Sequence, residues 1–383
     1  MIKEIPDNFD SVDIGNTNFP MAEVRQKLDR IRAYIEQRGL TGVVLARRDN
    51  FSWLSCGGNN GVVVPDQEGV GAFVVTKERL YLVAQVMDGQ RLLDEELAGM
   101  EVDYVPLHWY KGSRIGKAVE IAGKASAADV PADGARYILP DIYSLQYPLT
   151  ENEIRKLRWA GKRVEEAITQ TIREIRPGMV DYEAEAILLS ALAKNNIHCD
   201  ILLIGTDERI FRYRHPSPSG AKLGKYVFLH PAAKYEGLHV NVTRSIYFGD
   251  SLPNSIERPY RTAMDVEAAC IASCVPGKRW CDILKMQKSM LAQRGYPEEW
   301  RNHFPGGRTG YSVCECDFSL SADRSIVDRE CYDWFITVTG AKVEELSLNA
   351  GGKHEILSSA GNWPVRRYEI DKEVIDMPDV LLR

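Results

Sequence analysis

The stretch that decides the fold of this chain is residues 226–249, YVFLHPAAKYEGLHVNVTRSIYFG. It contains two strand-like apolar runs, VFLHP and LHVNVTRSIYF, joined by the polar segment AKYEG. Apolar runs of this length separated by a short glycine-containing segment are typical of two paired strands and their turn. The stretch therefore predicts a β-hairpin that carries three polar side chains, His230, His239 and Asn241.

This hairpin resembles that of the creatinase/prolidase/methionine-aminopeptidase family, which usually reads like IDAGAEYNGYxxDITRT. In that family two hairpin aspartates hold a pair of divalent metals. Here His230 stands at the first aspartate position and Asn241 at the second. The resemblance covers most of the chain, is strongest over residues 150–350, and implies the duplicated α+β pita-bread fold.

The other ligand positions of the family are also altered. By the same resemblance, the family histidine falls on Gly307 and the first glutamate on Phe335, and only Glu344 keeps its carboxylate. Hard divalent cations and dinuclear hydrolytic sites need several anionic oxygens. The resemblance therefore implies a member of the family without a metal or other cofactor, closer to creatinase than to prolidase.

Two residues are candidates for the chemistry. His215 matches by position the acid/base histidine of creatinase, and a histidine exchanges protons near neutral pH without an unusual pKa. The alternative is a turn histidine held by Pro216. For Glu344 the functional interpretation is a carboxylate that orients His215 or binds a cationic substrate group. The alternative is a surface charge, because Glu345 follows it and only one of the two faces inward.

Substrate contacts are expected on the hairpin and around it. His239 and Asn241 lie two residues apart and so share a face of their strand, where His230 would join them. The alternatives are a new histidine-rich metal site and polar filling of an emptied one, whereas Arg244 is expected to pair a carboxylate behind the hairpin. The other expected contacts are Arg212, Arg214, His303, Gly306, Gly307, Arg308 and Phe335.

The physical reasons for these other contacts differ. Arg212 and Arg214 offer bidentate recognition of an anion, with solvated loop charges as the alternative. The segment 303–310, HFPGGRTG, predicts a glycine-rich loop in which the amides of Gly306 and Gly307 approach an oxyanion or carboxylate.

Composition sets the general class of protein. The chain has 383 residues, is 44% hydrophobic and 27% charged, and carries a net charge of −6. This balance argues against a general binder of nucleic acid or anionic membranes. No apolar run reaches the ~20 residues of a membrane span, and the N-terminus has no apolar signal core. Together with eight scattered cysteines, expected as free thiols, this predicts a cytoplasmic protein.

The pattern along the chain predicts two domains and a tail. Residues 1–147 alternate helical and strand-like segments and form an α/β domain, opened by a helix that ends at Gly39. Residues 148–370 form the pita-bread domain, opened by a capping box at 150–153, TENE. Asp181 is expected to cap the next helix, residues 182–195. Residues 371–383 are left as a tail.

The second domain contains an internal repeat. A helix, a Pro-Gly break and a second helix occur once before residue 195 and again before residue 294, each pair near a set of strands. Similar segments at two places in one domain indicate a pseudo-twofold duplication. The duplicated fold implied by the resemblance has the same form.

Three functions follow from these observations. The first is a metal-independent hydrolase, or a related C–N bond-cleaving enzyme, acting on a small polar, amino-acid-like molecule with His215 as acid and base. The second is a metallopeptidase of the Xaa-Pro aminopeptidase or dipeptidase type. The third is a catalytically inactive pita-bread binding module. A small-molecule substrate, no nucleic acid, no membrane and a homodimer are the expected partners and state.

Overall fold

The structure is a computed structural model that describes residues 20–315, 321, 323–371 and 373–383. The chain divides into two units, Met1–Leu145 and Gln146–Arg383. The division falls two residues before the boundary expected at 147. None of the helices in the described ranges is long and apolar enough to cross a membrane.

A six-stranded mixed sheet organises the N-terminal unit. Its strands are β1 Gly42–Arg47, β2 Glu68–Thr76, β3 Leu80–Gln85, β4 Asp103–Leu107, β5 Ser126–Ala128 and β6 Ala135–Tyr137, in the order β4-β3-β2-β1-β5-β6. The helices are α1 Met21–Arg38, α2 Arg48–Leu54, α3 Val86–Arg91, α4 Arg114–Ala122 and α5 Leu139–Leu145, and a π-helical turn, Leu92–Glu96, extends α3. The central strand β1 is buried almost throughout, and α4 packs Ala118 and Ala122 against the sheet. The predicted end of α1 is confirmed, because Gly39 has φ 65° in the left-handed region.

The described residues of the C-terminal unit form three sheets. The helices are α6 Glu151–Glu174, α7 Asp181–Ala193, α8 Glu208–Arg212, α9 Asn254–Ala272 and α10 Trp280–Gln293, and Glu299–Arg301 forms a 3-10 turn. The strands of the first sheet are β7 His198–Thr206, β8 Tyr226–Tyr235, β9 Leu238–Asn241, β10 Arg244–Tyr247 and β17 Leu381–Leu382. The second sheet has the strands β11 Gly306–Thr309, β12 Glu330–Val338, β13 Ala341–Ala350 and β14 Lys353–Ile356, and the third has β15 Val365–Ile370 and β16 Glu373–Pro378.

The internal repeat is visible in the order of these elements. The pair α6 and α7 precedes the first sheet, and the pair α9 and α10 precedes the second. Each helix pair is interrupted by a glycine in the left-handed region, Gly178 with φ 93° and Gly277 with φ 86°. Their amides donate to the carbonyl oxygens of Leu223 and Ile326, at 2.7 and 2.9 Å. In each half, a glycine in the left-handed region thus ends the first helix and ties the break to a distant segment by a hydrogen bond.

Two helix caps were predicted in this unit, and the structure confirms one of them. The capping box of α6 is confirmed, since Glu153 N donates to Thr150 Oγ1 at 3.1 Å and Thr150 N to Glu153 Oε2 at 2.8 Å. The expectation that Asp181 caps α7 is wrong. Its carboxylate accepts from the amides of Ser219 and Gly220, both at 2.8 Å, and so holds a distant loop.

The residues assigned to a tail, 371–383, contain strands of the C-terminal unit. β16 pairs with β15, and β17 runs parallel to β10. The guanidinium of Arg383 donates to the carbonyl oxygens of Ile172, Arg173 and Ile175 at the end of α6. A cationic side chain at a helix C-terminus satisfies carbonyl groups that have no partner within the helix.

Candidate active site in the C-terminal unit

The register of two strands fixes the centre of the site. In the antiparallel pairing of β12 with β13, Phe335 lies opposite Glu344, so their side chains share one face of the sheet. Because side chains alternate along a strand, Asp333 and Lys342 lie on this face too, and Glu345 points to the other. One glutamate therefore faces the site, as expected, but the alternative of a surface charge is wrong because Glu344 is only 1% exposed.

The carboxylate of Glu344 is held by three donors. Its Oε2 lies 2.8 Å from His230 Nδ1, 3.0 Å from Thr243 Oγ1 and 2.8 Å from Lys342 Nζ. Burial alone would raise the pKa of Glu344, but His230 and Lys342 hold it well below its usual range. Burial also lowers the pKa of His230. Glu344 is therefore an ionised carboxylate with its charge compensated inside the protein.

A second carboxyl group, Asp333, lies beside the first. Asn241 Nδ2 donates to Asp333 Oδ2 at 2.6 Å and to the carbonyl oxygen of Val313 at 3.1 Å. Burial, and next the charge of Glu344, raise the pKa of Asp333 well above its usual range. Asp333 is therefore the neutral member of the two carboxyl groups.

Two histidines meet at the same site. His215 follows α8, His303 follows the 3-10 turn, and their Nε2 atoms lie 2.9 Å apart. Burial, and next the positive charge of Lys342, lower the pKa of His215 and bring that of His303 to about 4. The ring of His303 stacks on Phe304 and meets Phe335 edge-on, with centroids 4.8 and 5.4 Å apart. Two of the expected site residues thus form one neutral pair.

The arginines expected to bind an anion are engaged elsewhere. Arg214 pairs with Glu299, and its Nη2 lies 3.0 Å from Thr339 Oγ1. The side chain of Arg212 is 62% exposed and lies 3.6 Å from Glu208. Neither guanidinium contacts the Glu344 cluster in the described structure, so the alternative of a structural or solvated charge fits both.

His239 is also separate from the cluster. Its Nδ1 lies 3.2 Å from the carbonyl oxygen of Gly310, and its Nε2 lies 3.2 Å from Asp200 Oδ2. Both ring nitrogens are therefore engaged, and neither contact belongs to the Glu344 cluster. Of the three polar hairpin residues, His230 and Asn241 reach the site and His239 does not.

The glycine-rich segment is a strand and not a loop. Gly306 and Gly307 belong to β11, where they pair with Trp334 and Asp333 of β12. Gly306 has φ 116°, and a Cβ there would lie 2.1 Å from the carbonyl oxygen of Asp333. Glycine is thus required at Gly306 for the close approach of two strands. The expectation of an oxyanion-binding loop is corrected to a β-ladder.

Arg308, from the same strand, lies in an ion network. Its guanidinium lies 3.0 Å from Glu315 and 3.2 Å from Glu330, and 4.0 Å from the ring centroid of Tyr147. It pairs in register with Tyr332, on the face opposite to that of Asp333. Arg308 is therefore a structural residue and not a substrate contact.

Comparison with known proteins gives the family. Residues 155–331 match the model of Metallopeptidase family M24. This segment, a little under half of the chain, is similar to the M24 family. A search of the curated proteins gave no match.

Solved structures share the fold of this chain. The prolidase from Pyrococcus horikoshii OT3 is 16% identical, with a TM-score of 0.73, covering 87% of this chain and 98% of that one. The Xaa-Pro dipeptidase from Bacillus anthracis is 15% identical, with a TM-score of 0.74, covering 94% and 100%. The X-Pro aminopeptidase from Thermotoga maritima MSB8 is 16% identical, with a TM-score of 0.70, covering 93% and 99%.

The name of the matched family implies a metal centre, but the side chains at this site do not offer a set of metal ligands. Of the positions that match family ligands, Glu344 alone offers a carboxylate, and the ammonium of Lys342 lies 2.8 Å from it. Asn241 turns its amide nitrogen, a donor, toward Asp333. Over the described ranges, no cluster of three or more His, Cys, Asp or Glu side chains is arranged to hold a metal ion.

Arg244 lies behind the hairpin, as predicted. Its guanidinium contacts Glu165 at 2.9 Å and Glu345 at 2.6 Å, and all three side chains are at most 3% exposed. The carbonyl oxygen of Ser358 accepts from it at 2.7 Å. The prediction of a structural arginine is confirmed.

Sequence reasoning missed two residues of the site, Asp333 and Lys342. Each lies two residues along a strand from a residue that was singled out, Phe335 or Glu344, and alternation alone places it on the same face. That signal was available in the sequence. The hydrogen-bond partner of Asp333 was not, because Asn241 reaches this side chain from another sheet.

Proposed function

We propose that this protein is a metal-independent hydrolase that cleaves a C–N bond in a small polar, amino-acid-like molecule, with His215 transferring the proton. The observation that supports this most is the contact between His215 and His303, 2.9 Å between Nε2 atoms. Both imidazoles have a pKa below the ordinary value, so both are neutral at pH 7. A neutral imidazole is a base, and His215 is an exposed group with which a substrate can make contact.

The proposed reaction uses water as the nucleophile. His215 takes a proton from a water molecule, and the water oxygen forms a bond to the substrate carbon. The C–N bond then breaks, its electron pair goes to the nitrogen, and His215 returns the proton to that nitrogen. General acid–base catalysis of this kind contributes about 100-fold to 10,000-fold in rate.

Glu344 has a positioning role in this proposal. It was a candidate to touch the substrate, but its Oε2 already has three donors: His230, Thr243 and Lys342. A carboxylate that is fully engaged and 1% exposed supports its neighbours more readily than it binds a ligand. We assign it the task of fixing His230 and Lys342 beside the histidine pair.

The experiment is an assay for amine or ammonia release from a panel of small amides, ureas and dipeptides, run with and without chelator. Activity is expected to survive the chelator and to fall at least about 100-fold in His215→Ala. The matched control is His198→Ala, an exposed histidine on β7. Full activity in His215→Ala, or activity lost with chelator and restored by a divalent metal, would overturn the proposal.

A second candidate is hydrolysis of Xaa-Pro bonds by a metal-loaded site. It is favoured by the M24 match and by the fold shared with a prolidase, an Xaa-Pro dipeptidase and an X-Pro aminopeptidase. The same panel separates the two candidates when it contains Xaa-Pro dipeptides assayed with added Mn²⁺. Cleavage of these peptides only in the presence of metal selects the second candidate.

A further inference from the structure

We propose that His303 is a positioning residue that fixes the tautomer of His215, with the proton of His215 on Nε2 and its Nδ1 left as the base. The consequence for catalysis rests on the function proposed above. The hydrogen-bond pattern itself does not, because it depends on the positions of one carbonyl oxygen and two imidazole rings.

The first contact fixes the tautomer of His303. Its Nδ1 lies 2.5 Å from the carbonyl oxygen of Phe304. A carbonyl oxygen accepts hydrogen bonds and cannot donate them, so Nδ1 carries the hydrogen. A neutral imidazole has one N–H, and therefore Nε2 of His303 presents a lone pair.

The second contact passes this constraint to His215. The two Nε2 atoms are 2.9 Å apart, a distance at which one must donate and the other accept. Because His303 Nε2 has the lone pair, His215 Nε2 has the hydrogen. Nδ1 of neutral His215 is then the nitrogen without a proton, which is the form that a general base requires.

The surroundings keep His303 in the neutral form that this pattern needs. Burial opposes its protonation most, followed by the ammonium of Lys342 and, more weakly, by His215. The carbonyl oxygen of Phe304 and the carboxylate of Glu344 act in the opposite sense. Phe304 and Phe335 contact its ring on the stacked and edge sides. The ring is therefore held in orientation as well as in charge.

The acceptor that fixes His215 differs from the one found beside most catalytic histidines. A histidine that acts as a base usually has its second nitrogen fixed by an acceptor, often a carboxylate or a backbone carbonyl. Here the acceptor is a second imidazole, and a backbone carbonyl fixes that imidazole in turn. Phe304 O, His303 and His215 form a chain of three groups with one direction of donation.

The test is a two-dimensional nitrogen–proton NMR spectrum of full-length protein labelled at histidine, recorded at pH 7. Each ring nitrogen reports whether it carries a proton. The expected result is a protonated Nε2 and bare Nδ1 for His215, and the reverse for His303. A protonated Nδ1 on His215, or a doubly protonated His303, would contradict the proposal.

Variants separate positioning from simple packing. His303→Phe keeps an aromatic ring but removes the acceptor, and His215 is expected to become a mixture of tautomers. His303→Gln offers a carbonyl oxygen as acceptor and is expected to restore the Nε2–H form. The matched control is His198→Phe, a substitution at an exposed histidine on β7, which should leave the His215 spectrum unchanged. An unchanged spectrum in His303→Phe rules the inference out.

The activity measurement is made on the same proteins. His303→Phe is expected to lower kcat roughly tenfold with little change in KM, since the wrong tautomer removes the base and not the binding surface. The two proposals fail separately. If His215→Ala stays active while the tautomers are as expected, the function is wrong and the His303 assignment stands; if the tautomers differ while His215 is essential, only the His303 assignment is lost.

Discussion

Two buried ionic clusters occupy opposite faces of the same strand, β13. On one face Glu344 contacts Lys342, His230 and Thr243. On the other face Glu345 contacts Arg244, which also binds Glu165. Two glutamates that are adjacent in the sequence are thus equally buried, but their ionic partners differ.

The difference lies in the partners. Behind the strand, a guanidinium that stays charged at any relevant pH binds two carboxylates in fixed directions, which stabilises structure. In front, the ammonium of Lys342 and the imidazole of His230 accompany the carboxylate. The charges of Lys342 and Glu344 also act on two more neutral histidines, His215 and His303. The front face carries the imidazoles, whereas behind the strand burial raises the pKa of Glu345 to about 7. Only the front face therefore offers histidines for acid–base chemistry.

The largest effect is expected from breaking the rear cluster. Arg244→Met leaves Glu165 and Glu345 buried without a counter-charge and should lower the free energy of unfolding by about 3–5 kcal/mol. Urea denaturation measures it. The control is Arg367→Met, whose guanidinium pairs with Asp376 on the surface and whose loss should give no measurable change. Equal stability of the two variants would remove the distinction between the clusters.

A smaller effect is expected from the front cluster. Lys342→Met leaves Glu344 with two of its three donors and should lower the free energy of unfolding by about 1–3 kcal/mol. Burial, and next the positive charge of Lys342, lower the pKa of His303 to about 4, so removal of that charge should also raise this pKa. Histidine NMR titration measures the shift, and Lys342→Arg, which keeps the charge, is the control.

The sign of the accompanying pH dependence follows from His303. Its pKa of about 4 in the folded state lies below 6.5, so the unfolded state binds more protons between these values. Stability is therefore lost as pH falls from about 6.5 to about 4. This loss should be smaller in Lys342→Met than in the parent protein. A larger loss in the variant would show that Lys342 does not control the charge of His303.

The smallest effect is expected for Asp333→Asn. Asp333 is the neutral member of the two carboxyl groups, so an amide of the same shape keeps both the charge and the hydrogen bond from Asn241. The change in the free energy of unfolding at pH 7 should be below about 1 kcal/mol. Asp333→Ala, which removes this acceptor from Asn241, should cost more. A loss above about 3 kcal/mol in Asp333→Asn would mean that the carboxyl is ionised.

The sequence predicted the local structure of this chain well and the partnerships less well. The helix end at Gly39, the capping box at Thr150 and the repeated Pro-Gly break depend on residues close together in the chain, and all three are confirmed. Asp181 was assigned to a cap because capping is the local use of an aspartate, but a loop about 40 residues away provides better donors.

The site shows the same limit. His215, His303, His230, Asn241 and Glu344 were singled out, and the structure brings them together. Arg214 was assigned to a substrate as an anion-binding charge, and Arg308 as part of the glycine-rich segment. Arg214 pairs with Glu299, and Arg308 pairs with Glu315 and Glu330. A sequence gives the charge of a side chain, but the partner that compensates it is set by contacts between distant segments.

A backbone hydrogen bond, in addition to the side-chain contacts, joins the two halves of the repeat at the site. The amide of Thr243, between β9 and β10, donates to the carbonyl oxygen of Glu344 on β13 at 3.0 Å. An amide hydrogen held in this way exchanges with solvent only when the segments that hold it separate. The exchange rate of the single Thr243 amide is thus a direct report on how often the two halves open at the candidate site.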